Sequence, residues 1–512
     1  MLLSPPKKQK KVSPMIAITG SYKNRIIHLT STWCFLYSQA DPFYKSQPTL
    51  CLFNYFSLFL LSVVIKEHTQ KKKKNMGLLP CPLPCHTDSE SQSQSDSLSS
   101  STLSSQPSLP SVPSLTSPSH QQRDQSLPNP NTAQHLCIAT IKGHSSYVSS
   151  LTLAGKFLYS GYSNSEISQF SQDPFGLESN NSMDNVVALS NGAVKSLVVD
   201  LEQDKLFSAH QDNKIRVWKI NNNNNDYNTP NQKYKCIATL PTLNDRFSRF
   251  FSAKNYVKVR RHKKCTWVHH VDSISALAIS KDGSFLYSAS WDRSFKIWRT
   301  NDFKCLESVG NAHDDAINAL VLSKDGFVYT GSADKKIKVW KKKQAGDNYK
   351  EHSYSHSLVA TLEKHKSAVN ALALTSDGSV LYSGACDRSI LVWEKDSEAI
   401  DSNFGQMVLV GALRGHTKAI LCLAVVSGLV CSGSADNTVR IWRRGIEKSY
   451  SCLGVLEGHR RPVKSLAVAL DGNNNGGKSG SSDCGTSYLV YSGSLDYDIK
   501  VWQIWVPSLF DP

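Results

Sequence analysis

The sequence predicts an all-β chain: a ring of seven small antiparallel sheets closed by an N-terminal strand and preceded by a disordered leader. Three observations carry that reading. A Ser or Thr stands four residues before an Asp, and a Trp follows six residues after that Asp, in copy after copy between residues 208 and 502. A His precedes most of these Trp residues by a near-constant interval, as His270 precedes Trp298 and His313 precedes Trp340. Between these markers apolar residues alternate over short runs, as in Ile317-Asn318-Ala319-Leu320-Val321-Leu322, which is the period of strands.

In chain order, the first unit is eroded: His144 and Ser160 lead to Asn164 and Phe170 where Asp and Trp are expected. The second keeps Ser208, Asp212 and Trp218 but has Ser190 in the His position. Five complete sets follow: His270, Ser288, Asp292, Trp298; His313, Thr330, Asp334, Trp340; His365, Ser383, Asp387, Trp393; His416, Ser432, Asp436, Trp442; and His459, Ser492, Asp496, Trp502. Asp282-Gly283, Asp325-Gly326 and Asp377-Gly378 join the first two strands of three units, because tight hairpins need positive φ. A fourth, outer strand is expected at Cys305-Leu306-Glu307, Leu358 to Leu362 and Cys452 to Leu456. A four-stranded sheet cannot bury both faces alone, so the units stack, and a closed ring leaves no exposed end. The last unit has no fourth strand after Trp502, and Leu136 to Ile141 is free to supply it.

With Gly-His pairs at Gly143-His144, Gly415-His416 and Gly458-His459, residues 136 to 502 resemble the WD40 repeat family. The resemblance implies a seven-bladed propeller over residues 135–505. It also implies that each His, Ser or Thr, Asp and Trp form a hydrogen-bonded chain tying an inter-blade loop to the middle strands. One departure is consistent: the Trp is followed by Lys219, Arg299, Lys341, Glu394, Arg443 or Gln503, never by Asp. Sets repeated around a ring are structural, since one active site would not be copied blade by blade. No catalytic residue, cofactor or metal site is assigned, and the grouping His262, Cys265, His269, His270 is set aside because His270 already belongs to a blade.

The chain carries a net charge of +16, and residues 1 to 75 account for +10 of it. That stretch reads as a doubtful extension. Its apolar run at residues 50–65 is shorter than the roughly 20 residues needed to span a bilayer, so membrane attachment is expected only if that run is real and used. Met76 is the alternative start, and residues 76–134 form a Ser, Pro and Gln tract too poor in apolar groups to fold. Thirteen cysteines, odd in number and scattered, point to a reducing compartment, the cytoplasm or nucleus. Cys236, Cys305 and Cys452 are expected as small buried residues of outer strands.

Residues 241–264 interrupt the repeat with eight basic residues against one acid. The candidate partner-binding residues there are Arg246, Arg249, Lys258, Arg260, Arg261, Lys263 and Lys264. A short helix is expected over Asp245 to Phe251, with Phe247, Phe250 and Phe251 packed down and the arginines outward. The loop is expected over the face carrying the Asp turns, the face that WD40 proteins commonly use. Trp291, Arg293 and Arg388 are added because they flank blade aspartates on that face, as do Lys335, Cys386, Asn437 and Tyr497. The partners expected are other proteins, through acidic or phosphorylated segments, in preference to nucleic acid.

The Met-Gly-x-x-Pro-Cys-Pro start, the Asn-Tyr-Val-x-Val-Arg-Arg insertion and Cys305-Leu306-Glu307 with Ala312-His313-Asp314-Asp315-Ala316-Ile317-Asn318 resemble the plant JINGUBANG-like WD40 group. That resemblance implies a non-enzymatic adaptor in developmental signalling, with transcription regulators among its partners. The alternative is a substrate receptor of a cullin-type ubiquitin ligase, for which Trp393-Glu394-Lys395-Asp396 is the nearest approach to the usual Trp-Asp-x-Arg.

Overall fold

The computed structural model describes residues 112–116, 133–142, 145–172, 185–220, 234–250, 255–260, 263–343, 355–396, 406–445, 448–472 and 485–507, without the side chains of residues 250, 258–260, 263 and 264. The apolar run at 50–65, Met76, His144, Arg261 and His262 therefore lie outside the described residues. Residues 112–116, within the stretch expected to stay unfolded, are placed against the ring by backbone hydrogen bonds.

The described residues form seven four-stranded antiparallel sheets. Blade 1 runs from Val148–Ala154 to Val186–Leu189, and blade 2 from Val194–Asp200 to Tyr234–Leu240. Blade 3 runs from Ile274–Ile279 to Cys305–Val309, blade 4 from Ile317–Leu322 to His356–Glu363, and blade 5 from Val369–Leu374 to Met407–Leu413. Blade 6 runs from Ile420–Val426 to Tyr450–Leu456. Blade 7 takes Val463–Leu470, Gly485–Ser494 and Ile499–Pro507 from the end of the chain and its outer strand, Gln134–Ile141, from near the beginning. Thr140 lies opposite Lys500 and Ile141 opposite Ile499, so the early strand closes the ring as expected.

The blades are held to one another by a repeated contact. The first inward residue of each blade, Val148, Val194, Ile274, Ile317, Val369, Ile420 or Val463, is fully buried. It packs against a Gly or Ala in the second strand of the preceding blade. A Cβ at Gly493 would lie 2.5 Å from Val148 Cγ1, and one at Gly384 would lie 2.4 Å from Ile420 Cγ2. In blades 1, 3, 4 and 5 the adjacent position carries a small polar side chain that crosses to the next blade. Ser149 donates to Val194 O, Ser275 to Ile317 O, Asn318 to Val369 O and Asn370 to Ile420 O.

The five complete sets form chains of one polarity. Trp298 Nε1–H donates to Ser288 Oγ at 2.9 Å, Ser288 Oγ lies 2.8 Å from His270 Nε2, and His270 Nδ1 lies 3.1 Å from Asp292 Oδ2. Because an ionised Asp can only accept, His270 Nδ1–H donates to Asp292, and burial lowers the His270 pKa. Asp292 also accepts from the Val271 amide, which pins the inter-blade loop. The same chain recurs through His313, His365, His416 and His459. Burial would raise the Asp334 carboxyl, but the hydrogen bond from His313 and the amides of Lys336 and Asp314 hold it down at about 2.

The two eroded blades rebuild the chain differently. In blade 2, His210 Nε2 lies 2.7 Å from Ser208 Oγ and its Nδ1–H donates to Gly192 O, so a His two residues after the Ser does the work of the missing one. Ser190, in the expected His position, lies 3.2 Å from the same ring. Asp212 is released to pair with Arg216 at 2.6 Å. In blade 1, Ser160 donates to Tyr162 OH at 2.7 Å, again two residues on.

Burial and nearby Arg216 lower the His210 pKa to about 4, against smaller opposing effects of Gly192 O and Asp212. Since the unfolded chain takes up this proton first, near pH 6.5, the neutral ring's contribution is complete above that pH. It is lost as pH falls toward 4, by on the order of 3 kcal/mol. The native chain should therefore lose thermal stability between pH 6.5 and 4, and His210→Gln should flatten that part of the melting profile. An unchanged profile would show that His210 is not buried neutral.

Candidate functional site

Call the face carrying the tetrad aspartates the upper face. Each Asp there opens a turn in which its Oδ1 accepts the amide two residues on, as Ser294 N–H and Lys336 N–H donate to Asp292 and Asp334. The residue between is driven into the left-handed region. Ser165, Asn213, Arg293, Lys335, Arg388, Asn437 and Tyr497, one per blade, have φ between 65° and 79°. That conformation costs a non-glycine residue roughly 1 kcal/mol, yet none of the seven is glycine. Two side chains explain themselves: Asn213 Nδ2–H donates to Val271 O and Asn437 Nδ2–H to Arg460 O, both across to the next blade. Arg293, Lys335 and Arg388, on consecutive blades 3, 4 and 5, instead stand exposed. Trp291 beside Arg293 is half-buried, with Lys195 Nζ 5.7 Å from its ring centre.

The basic insertion departs from expectation in two ways. Its helix, Leu243–Phe250, packs on the outer strand of blade 3, at the rim of the ring rather than over the upper face. Its polar side is also the one turned inward. Thr242 Oγ1 caps the helix by accepting the Asp245 amide. Asp245, 4% exposed, accepts from the Cys305 amide at 2.9 Å and from Arg249 Nε at 3.1 Å. Arg249 donates to Cys305 O and lies 4.1 Å over the Trp267 ring. The outer strand's unpaired backbone groups attract the helix through this charged pair, which leaves Leu243 and Phe247 58% and 41% exposed. Arg246 also points to solvent.

Arg249 is thus a brace, while Arg246 with Leu243 and Phe247 forms the outward surface. The hairpin Tyr256–Arg260 with Lys263–Thr266 continues the insertion and carries Lys258, Arg260, Lys263 and Lys264 on its backbone. The outward apolar residues were legible only as spacing: Asp245 and Arg249, four apart, lie on the helix face away from Leu243 and Phe247.

The helix also corrects the expectation for the cysteines. Cys236, Cys305, Cys452 and Cys137 each lie opposite a tetrad Trp on an outer strand. Only Cys305, covered by the insertion, is buried, whereas Cys137, Cys236 and Cys452 are exposed. His269 Nδ1 is 2.8 Å from Thr266 Oγ1 and His270 is committed to its tetrad, so these two rings are engaged in the scaffold. Among the described residues no group of three His, Cys, Asp or Glu is placed to hold a metal, and no helix is long and apolar enough to cross a membrane.

The family model "WD domain, G-beta repeat" matches residues 262–299, 303–341, 356–394, 407–443 and 450–503. Among curated proteins, the chain is 30% identical over 218 residues to Protein ROOT INITIATION DEFECTIVE 3 of Arabidopsis thaliana, covering 40% of this chain and 46% of that protein. It is 28% identical over 195 residues to Striatin-3 of Homo sapiens, covering 37% and 24% of the two. To Mitochondrial division protein 1 of Schizosaccharomyces pombe it is 28% identical over 225 residues, covering 38% and 33%. Each match spans less than half of the relative's own length. Among solved structures, the WD40 beta propeller domain of Doa1 matches with a TM-score of 0.48 and 19% identity, over 72% of this chain and 96% of that one.

Asp245, which holds Arg249, and the outward Arg246 should separate cleanly. Asp245→Ala strands the Cys305 amide and Arg249 together and should lower stability by about 2 kcal/mol, while Arg246→Ala should stay within about 0.5 kcal/mol of the native chain. Equal effects in denaturant unfolding would contradict the assigned roles.

Proposed function

We propose that this WD40-repeat propeller is a non-enzymatic scaffold that holds partner proteins by acidic or phosphorylated segments laid across blades 3 to 5 of its upper face. The observation that supports the reading is the run of Arg293, Lys335 and Arg388, exposed at equivalent positions on three successive blades and held there in a backbone conformation that favours glycine. A rigid ring presenting cations at fixed spacing selects a partner by charge pattern, speeding encounter and losing affinity as salt rises. Trp291 adds an aromatic surface beside the first cation.

The insertion is a second contact, in which Arg246, Leu243 and Phe247 offer a mixed basic and apolar surface on the rim. Charged side chains alone would be left to solvent, but two large apolar groups turned outward on one short helix favour a protein partner over nucleic acid. The similarity to an Arabidopsis protein and the resemblance to the JINGUBANG-like group favour plant regulatory signalling, in the cytoplasm or nucleus, with transcription regulators among the partners. The ubiquitin-ligase reading is less favoured: Glu394 is buried and held by Arg444 at 2.6 Å and Lys448 at 2.9 Å, so the segment after Trp393 is built into the blade.

The test is partner capture with the native chain, with Arg293→Glu/Lys335→Glu/Arg388→Glu, and with Arg246→Glu/Phe247→Asp. All three should melt within about 2 °C of one another, since the changed side chains are exposed. The triple variant should lose partners that the native chain holds, most strongly at low salt. Identical partner sets from the native chain and both variants would overturn the proposal.

A further inference from the structure

A second surface, on the opposite side of the ring from the insertion and independent of the reading above, already holds a peptide. Val112 to Thr116 of the leader lies between the outer strands of blades 5 and 6. Leu115 N–H donates to Ala412 O and Ala412 N–H to Pro113 O, both at 2.9 Å, and Tyr450 N–H donates to Leu115 O at 3.3 Å. Arg414 Nη2 donates to Val112 O at 3.2 Å. Ser114 and Thr116 form parallel bridges to Ala412 and Tyr450, so one short segment joins the edges of two blades. Its side chains enter separate sites: Val112 packs on the cluster holding Trp393 and Met407, and Leu115 on the one holding Tyr382 and Tyr450.

The blade itself is adapted to this peptide. A Cβ at Gly411 would meet Leu115 Cγ at 2.6 Å, Leu115 Cδ2 at 2.8 Å and Pro113 O at 3.0 Å, all of them atoms of the segment. Gly411 lies opposite Val392, the residue before the tetrad Trp. The matching position is Ala238 in blade 2, Glu307 in blade 3, Ala360 in blade 4, Gly454 in blade 6 and Ala139 in blade 7. A side chain is therefore compatible with the sheet at this position, and at Gly411 the space a Cβ would take is filled by the peptide.

We propose that the groove between the outer strands of blades 5 and 6 is a binding site for an extended, uncharged segment of the pattern Val-Pro-Ser-Leu-Thr. The chain's own residues 112–116 fill it in cis, and a partner protein carrying the same pattern displaces them. Recognition rests on backbone carbonyls and one amide of the peptide, so residues between the two aliphatic anchors are read by shape. Proline at the second position fits because its nitrogen has no bond to make there, while its carbonyl accepts from Ala412. The gain from four hydrogen bonds and two half-buried aliphatic side chains outweighs the cost of ordering five residues by a small margin. The cis contact therefore opens readily and owes its occupancy to being tethered, at an effective concentration on the order of 1 mM.

The experiment uses the full chain and a labelled peptide of residues 110–118. Leu115→Asp empties the groove, and the peptide should bind that variant at least about tenfold tighter than the native chain, whose own segment competes. Adding Gly411→Ala to Leu115→Asp should abolish the gain with a melting temperature unchanged to about 2 °C, because the atoms nearest the added methyl belong to the peptide. Equal binding to the native and Leu115→Asp chains, no binding to Leu115→Asp, or full binding to the double variant would each overturn the proposal. Self-association of the native chain that Leu115→Asp removes would also overturn it, by showing that the groove takes the leader of a second copy.

Discussion

The structure depends on one contact made at every step of the ring: a β-branched residue at the start of each inner strand, seated on a glycine or alanine of the preceding blade. No blade of four short strands has a core of its own, so the cores lie between blades. The cluster with Val148, Leu151 and Tyr491 joins blades 1 and 7, and the cluster with Ile274, Leu277 and Phe207 joins blades 2 and 3. Such an array is stable only when every interface is present, which makes the closing step matter as much as any other. The tetrads act within this frame, satisfying buried polar groups and fixing the loops that set the angle of one blade to the next.

Function is grafted where the repeat leaves something over. The turn after each tetrad Asp must project a side chain, and blades 3 to 5 use that position for cations. Among the described residues, three outer strands have their open edges covered by segments from outside the repeat: Cys305 by Asp245 and Arg249, and Ala412 and Tyr450 by Pro113 and Leu115. An exposed strand edge is a site for further pairing. The first edge is closed by a buried charged pair, and the other two by a short neutral peptide.

The architecture was legible because the constraints are local and repeated. Ser288, Asp292 and Trp298 keep their spacing since each has one bond to make and one place to make it from. Leu136 to Ile141 could be recognised as the missing strand by counting. What was not legible depends on contacts distant in sequence. His210 takes the place of the absent His from the strand itself, Tyr162 accepts from Ser160, and nothing in the spacing marks either. The helix at Leu243–Phe250 turns its polar side inward because the group it must satisfy, the Cys305 amide, lies 60 residues away. The docked leader segment was hidden in a Ser and Pro tract whose composition argues against order, and its anchor at Arg414 lies 302 residues further on.

Amide hydrogen exchange reports whether the early strand holds the ring shut at full strength. The account predicts that amides of Gln134–Ile141 bonded to Ile499–Pro507 exchange as slowly as those of the outer strand of blade 6, Tyr450–Leu456. Exchange of Gln134–Ile141 at the rate of an unfolded chain, with Ile499–Pro507 still protected, would contradict it.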